Sequence, residues 1–122
     1  MINNEATPVV LEVARLFVRL VQGTTSAWNK AYLRLQFEDG NTEVKGSYVA
    51  DNDVEIIDAI KNKAFFHPIA RLGGELFSHL GKNAGVFLLT INDQFEYEFQ
   101  FEYADMNRWG ISKLNGGTGI PS

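Results

Sequence analysis

The chain has no cysteine. A disulfide framework, a thiolate metal site and a thiol nucleophile are therefore excluded together, and nothing calls for an oxidising compartment. Histidine is nearly as scarce: His67 and His79 are the only two, and neither sits in a His-Glu-x-x-His or Cys/His spacing. Glu75 precedes His79 by four residues, the spacing of a surface pair on a helix, and Ser78 beside His79 makes no triad because adjacent helical side chains diverge. Long apolar runs are missing too. The mainly apolar residues 9–21 include Glu12, Arg15 and Arg19, which rules out a membrane span of about 20 apolar residues, and they lack the small-residue cleavage site of a secretory signal. A soluble, untargeted protein of the cytoplasm, with no membrane partner, is expected. The glycine pairs Gly73-Gly74 and Gly116-Gly117 have no strand–loop–helix setting, so a phosphate loop is not expected either.

What is present is a chain of 122 residues, 45% hydrophobic, 21% charged and 12% aromatic, the profile of one globular domain around one core. Its net charge of −4 hides a strong segregation. Residues 38–58 hold Glu38, Asp39, Glu43, Asp51, Asp53, Glu55 and Asp58 against the single base Lys45, and residues 93–105 hold Asp93, Glu96, Glu98, Glu102 and Asp105 against none. All but three of the fifteen acids lie in these two segments. Nucleic acid selects clustered Lys and Arg, so the acidic part disfavours it as a direct ligand. Arg15 and Arg19 form one turn of a solvated helix face, without the interleaved aromatics of a nucleic-acid patch. A basic protein partner fits this charge map.

Thr7-Pro8 predicts a helix start, and apolar residues at Val10, Val13, Ala14, Phe17, Leu20 and Val21 carry the helix to about Gln22, with Gly23 as its stop. Residues 28–38 alternate as a half-buried strand, Asp39-Gly40-Asn41 supplies a tight turn, and residues 42–50 return as a second strand. Asn52 or Asp53 is expected to cap a short helix through Ile60. A longer helix is expected from about His67 to Leu80, with Pro68 in its first turn; Gly73-Gly74 inside it signals close packing or a bend. Residues 86–91 form a short strand, and residues 95–103 alternate strictly between Phe95, Tyr97, Phe99, Phe101, Tyr103 and Glu96, Glu98, Gln100, Glu102. The order α-β-β-α-(α)-β-β predicts an α+β fold, a four-stranded antiparallel sheet with helices packed on one face. Residues 1–114 form the single domain, and residues 115–122 are expected to be a Gly-rich flexible tail.

Few residues invite chemistry. Glu96 and Glu98 share a strand face, but an acid–base pair needs a cleft that drives two pKa values apart, and an open strand offers none. Asp51, Asp53 and Glu55 recur at every second residue as in a calcium loop, yet its sixth and twelfth positions, which need Gly and Glu, are Ile56 and Asn62. Acids there suit a helix N-terminus instead. No catalytic residue, metal or cofactor is expected. The five rings of residues 95–103 are expected to be core. Glu96, Glu98 and Glu102 would then form an acidic strip on the open face, on the same polar side as Lys30 and Arg34.

The helix, the Trp28-Asn29-Lys30-Ala31-Tyr32 strand, the hairpin, the helix and the paired C-terminal strands ending in Phe101-Glu102-Tyr103, followed by Asp105 and Trp109, resemble YezG-type immunity proteins of bacterial toxin systems over most of residues 9–109. The resemblance implies an antitoxin that stays in the producing cell's cytoplasm and occludes a cognate secreted toxin, often a nuclease. Contact is then expected through the Glu96, Glu98 and Glu102 strip or through Asp51, Asp53, Glu55 and Asp58, without chemistry. The alternative is a small acidic secretion chaperone that binds an effector segment, with Leu11, Leu16 and Val18 as a dimer face.

Overall fold

Antiparallel pairing organises the chain. In the computed structural model, which describes residues 5–122, helix α1 (Ala6–Thr24) leads into β1 (Trp28–Glu38), β2 (Asn41–Ala50) and β3 (Asp53–Ile56). Helix α2 (Lys63–His79), β4 (Ala84–Asn92) and β5 (Tyr97–Glu102) follow. The strands make one five-stranded sheet in the order β3-β2-β1-β4-β5, antiparallel throughout. The α+β class and the antiparallel sheet agree with the sequence reading; the strand count and part of the element order do not.

The additional strand is β3, which replaces the short helix expected from Asn52 or Asp53 to Ile60. Asp51 and Asn52 both adopt positive φ, 51° and 69°, as a two-residue hairpin of the type I′ kind requires. Val54, Ile56 and Ile57 are β-branched and suit a strand. Ile57 then donates its N–H to the Gly46 carbonyl at 2.8 Å, prolonging the pairing one residue past β3. The first hairpin uses the same device at Asp39 (φ 51°) and Gly40 (φ 84°), there as expected.

Helix ends shift as well. α1 begins at Ala6, so Thr7 and Pro8 lie within its first turn, where the N–H that proline lacks costs no helical hydrogen bond. It runs through Gly23 to Thr24, whose hydroxyl donates to the Leu20 carbonyl at 2.8 Å. α2 starts at Lys63, a turn before His67, because the Asn62 carbonyl accepts the N–H groups of Phe65 and Phe66. Pro68 therefore falls inside the helix and not in its first turn. Gly81 closes α2 with φ 70°, and Lys82 N–H returns to the Phe77 carbonyl in a Schellman closure.

Both helices cover one face of the sheet. Phe17 and Val13 of α1 and Ile69, Leu76 and Phe77 of α2 pack with Leu33, Leu35, Phe87 and Leu89 of the central strands, all fully buried. Burial of each such side chain contributes about 1.5–3 kcal/mol. The other face is covered in its middle by the segment after β5. Trp109 packs on Val86 and Leu88, with Tyr32 and Met106 beside them. Ser47, wholly buried, donates to the Gly119 carbonyl at 2.7 Å, and Gly119 N–H bonds the Ser112 carbonyl at 3.0 Å. Residues 115–122, expected as a flexible tail, thus include backbone held to the sheet.

Candidate protein-binding site

The expected acidic residues divide between opposite ends of the strand order. Asp51 sits in the β2–β3 turn, Asp53 and Glu55 lie on edge strand β3, and Asp58 follows it; Glu98 and Glu102 lie on the other edge strand, β5, with Glu96 just before it. Four strand spacings separate the two edges, about 19 Å. One flat contact on both strips would have to cross the whole sheet. Asp58 is occupied locally: its carboxylate accepts the N–H groups of Ile60 and Lys61 at 2.8 and 3.2 Å and holds the turn that leads to α2.

Glu102 is occupied too. It accepts from Ala104 N–H at 3.0 Å and Asp105 N–H at 3.2 Å, and Arg108 Nη1 lies 2.7 Å from its other oxygen. These donors, the Ala104 amide foremost, hold its carboxyl down at about 2. It braces the turn after β5 and is a poor contact for an incoming cation.

Glu96 and Glu98 remain outward, with Lys30 of β1 beside them in a shallow groove of about 300 Å3 that Thr90, Asn92 and Tyr97 complete. Here the polar-side placement of Lys30 agrees with expectation. The β4–β5 turn that carries Glu96 is braced by Asn92, whose side-chain oxygen accepts the N–H groups of Gln94 and Glu96 at 3.0 Å each and whose Nδ2 donates to Glu96 Oε1 at 2.8 Å. Asp93 N–H reaches the Asn29 carbonyl at 3.2 Å, tying the turn to β1.

The aromatic ladder is less buried than its alternation implied. Strand pairing begins at Tyr97, so Phe95 stands in the turn with φ 63°, 52% exposed, its ring 6.3 Å from that of Trp28. Tyr97 is 48% and Tyr103 42% exposed, and Phe99 and Phe101 are half-buried. The reason is position: β5 is an edge, and the two helices lie over the inner strands. Positive φ at a bulky residue is a strained conformation, costing on the order of 1–3 kcal/mol, that recurs at binding sites. Phe95, Glu96, Tyr97 and Glu98 therefore form an aromatic and acidic corner.

Arg34 also escaped the sequence reading. Expected on an open polar face, it is 4% exposed; Nε donates to the Arg108 carbonyl at 2.8 Å and Nη2 to the Met106 carbonyl at 2.5 Å, with Glu43 at 3.9 Å. Burial lowers its pKa, and the nearby charges of Glu43 and Asp105 oppose that. The available signal was β4: Val86-Phe87-Leu88-Leu89 is a continuous apolar run, the mark of a strand covered on both faces.

At the opposite edge, a groove of about 430 Å3 is lined by Val44, Ile56, Ile57, Ile60 and Ile111 together with Lys45, Asp58 and Lys113. It is larger than the β5 groove and has no exposed aromatic ring in its lining. Among the described residues no cluster of three or more His, Asp or Glu could hold a metal ion, and no helix is long and apolar enough to cross a membrane. The sequence matches no model of a known protein family. Comparison with curated proteins likewise returns no match.

Proposed function

We propose that this chain is an immunity protein that binds a cognate toxin domain and neutralises it by occluding its active or substrate-binding surface. The observation that carries the reading is the β4–β5 corner, where Glu96 and Glu98 interleave with the exposed rings of Phe95 and Tyr97 on a hydrogen-bonded turn. Exposed aromatics next to carboxylates supply both halves of a protein contact: rings that bury area, and charge that steers a basic partner. A nuclease toxin suits this surface because it must present Lys and Arg to hold nucleic acid. The resemblance to YezG-type proteins points the same way. The partner strip narrows from the expected seven acids to Glu96 and Glu98: Glu102 and Asp58 hold backbone turns within the fold, and Asp51, Asp53 and Glu55 lie at the opposite edge of the sheet, about 19 Å away. Occlusion at a corner of this kind requires no catalytic group on the inhibitor, and the protein acts in the cytoplasm where the toxin would otherwise strike.

Co-expression tests the reading. A toxin domain encoded beside this gene should be lethal alone and tolerated with the wild-type chain, and Glu96→Lys with Glu98→Lys should abolish protection while leaving the circular-dichroism melt unchanged. Full protection by the folded double variant would remove the corner from the interface. The chaperone alternative draws on Leu11, 51% exposed on α1. It requires a stable dimer that holds an extended effector segment, whereas the immunity reading requires a one-to-one folded complex; light scattering with and without partner separates the two.

A further inference from the structure

Among the described residues, β5 is a sheet edge with no strand across it. It pairs with β4 over residues 97–102 in unbroken register and ends the sheet. One hydrogen bond fixes its backbone direction: Asn92 donates its N–H to the Glu96 carbonyl at 3.0 Å. Glu96 therefore turns its backbone toward β4, and in an antiparallel ladder Glu98, Gln100 and Glu102 do the same. Tyr97, Phe99 and Phe101 consequently direct their N–H and C=O groups away from the sheet, as a template for pairing. Their rings lie on the helix side, half-covered, while Glu98 and Gln100 occupy the other side.

From this geometry we infer that β5 accepts one further strand from another protein, an extended segment that alternates apolar with basic residues. The inference rests on the reading above, that the partner is basic, and adds how it docks. Main-chain hydrogen bonds to Tyr97, Phe99 and Phe101 supply the register. Apolar side chains of the incoming strand lie against the ring side, and its Lys or Arg side chains lie beside Glu96 and Glu98. Glu102 takes no part, being held by Arg108 and two amides. A second copy of this chain is the wrong occupant. In a two-fold antiparallel pairing centred on Phe99, Glu96 meets Glu102; centred on Glu98, that residue meets itself; centred on Gln100, Glu98 meets Glu102. Each register that uses two or more of the open residues leaves Glu96 or Glu98 without a free cation opposite it, and the one centred on Glu98 sets two uncompensated carboxylates together, which is destabilising. The glutamates thus block self-assembly at an edge that they leave open to a basic strand.

The test uses the full chain, labelled for NMR, and two synthetic decapeptides, one alternating valine with lysine and one alternating valine with glutamate. The lysine peptide should slow amide exchange at Tyr97, Phe99 and Phe101 with no change at Glu98 and Gln100, whose N–H groups already face β4. The glutamate peptide should bind at least tenfold more weakly, and Glu96→Lys with Glu98→Lys should reverse the preference. No binding at millimolar peptide, equal affinity for the two peptides, or protection at Thr42 and Val44 of the opposite edge overturns the inference. Peptide binding as described without neutralisation of a toxin rejects the immunity reading alone. Neutralisation without edge protection rejects strand addition alone.

Discussion

Gly73 and Gly74 are neighbours on α2, and alanine should move stability in opposite directions at the two positions. A Cβ built on Gly73 would lie 2.8 Å from Leu35 Cδ2 and 3.1 Å from its Cγ, closer still to Cδ1. Leu35 is fully buried in the central strand, so it has no free space to retreat into. Overpacking of that kind costs about 1–3 kcal/mol, and three approached carbons of one locked side chain place this site at the upper end. The gain in helix propensity from glycine to alanine returns about 1 kcal/mol, leaving Gly73→Ala roughly 2 kcal/mol less stable than wild type. On Gly74 the new methyl would meet only Phe37 Cε1, at an ordinary 3.7 Å. Gly74→Ala should therefore keep most of the propensity gain and be more stable by up to about 1 kcal/mol. In a domain of this size each kcal/mol corresponds to roughly 4 °C in Tm, so the two melts should lie about 8–12 °C apart. Urea unfolding with a shared m-value checks the free energies independently. The packing argument is refuted if Gly73→Ala melts at or above wild type, or if the two variants shift alike.

Two further outcomes concern the segment that covers the second face. The Glu102 carboxyl is held at about 2, below its ordinary value near 4.5, by the Ala104 amide, Arg108 and the Asp105 amide. A depressed carboxyl stabilises the fold fully above the unfolded value and loses that contribution as pH falls through the folded one. Wild-type stability should therefore drop from about pH 4.5 to 2 more steeply than that of Glu102→Gln, with the gap between them closing near pH 2. Parallel urea midpoints across that range would refute the assignment. Arg34→Ala leaves the Met106 and Arg108 carbonyls without their buried donor, a loss of about 2–4 kcal/mol. Trp109 fluorescence should shift to the red as the segment loosens, and an unchanged emission maximum would count against the role given to Arg34.

How far the fold could be read in advance depended on whether local signals pointed one way. At Asp39-Gly40 they did: both residues favour positive φ, the flanking strands alternate, and no helix competes. At Asp51-Asn52-Asp53 they conflicted. The same residue types serve as helix caps and as primed-turn formers, and Val54, Ile57 and Ile60 fit a helical stripe while the β-branched Val54, Ile56 and Ile57 suit a strand. Four strand residues are too few for periodicity to decide, and the choice falls to pairing with β2 through residues 47–50, which no local pattern contains. Arg34 failed for a related reason. Alternation in β1 shows correctly that its side chain leaves the helix side, but not that a segment more than seventy residues later arrives with Trp109 to cover it.

The same distinction, between side and cover, governs the aromatic ladder and with it the candidate site. Period two in residues 95–103 determines which residues face the helices, and Phe99 and Phe101 do pack against the core. Whether a side is covered depends on the place of the strand in the sheet, and that place follows from the β1–β4 pairing, which brings the two hairpin systems together and leaves β5 outermost. An inner strand of this sequence would be all core on one side, with its backbone groups consumed on both edges. An outer one keeps three of the five rings in view and, among the described residues, leaves the outward backbone of Tyr97, Phe99 and Phe101 without a strand, so the exposure that the sequence pattern failed to predict is what gives the corner its capacity to bind. Burial of Tyr97 and Tyr103 by a partner would complete the packing that the helices leave unfinished.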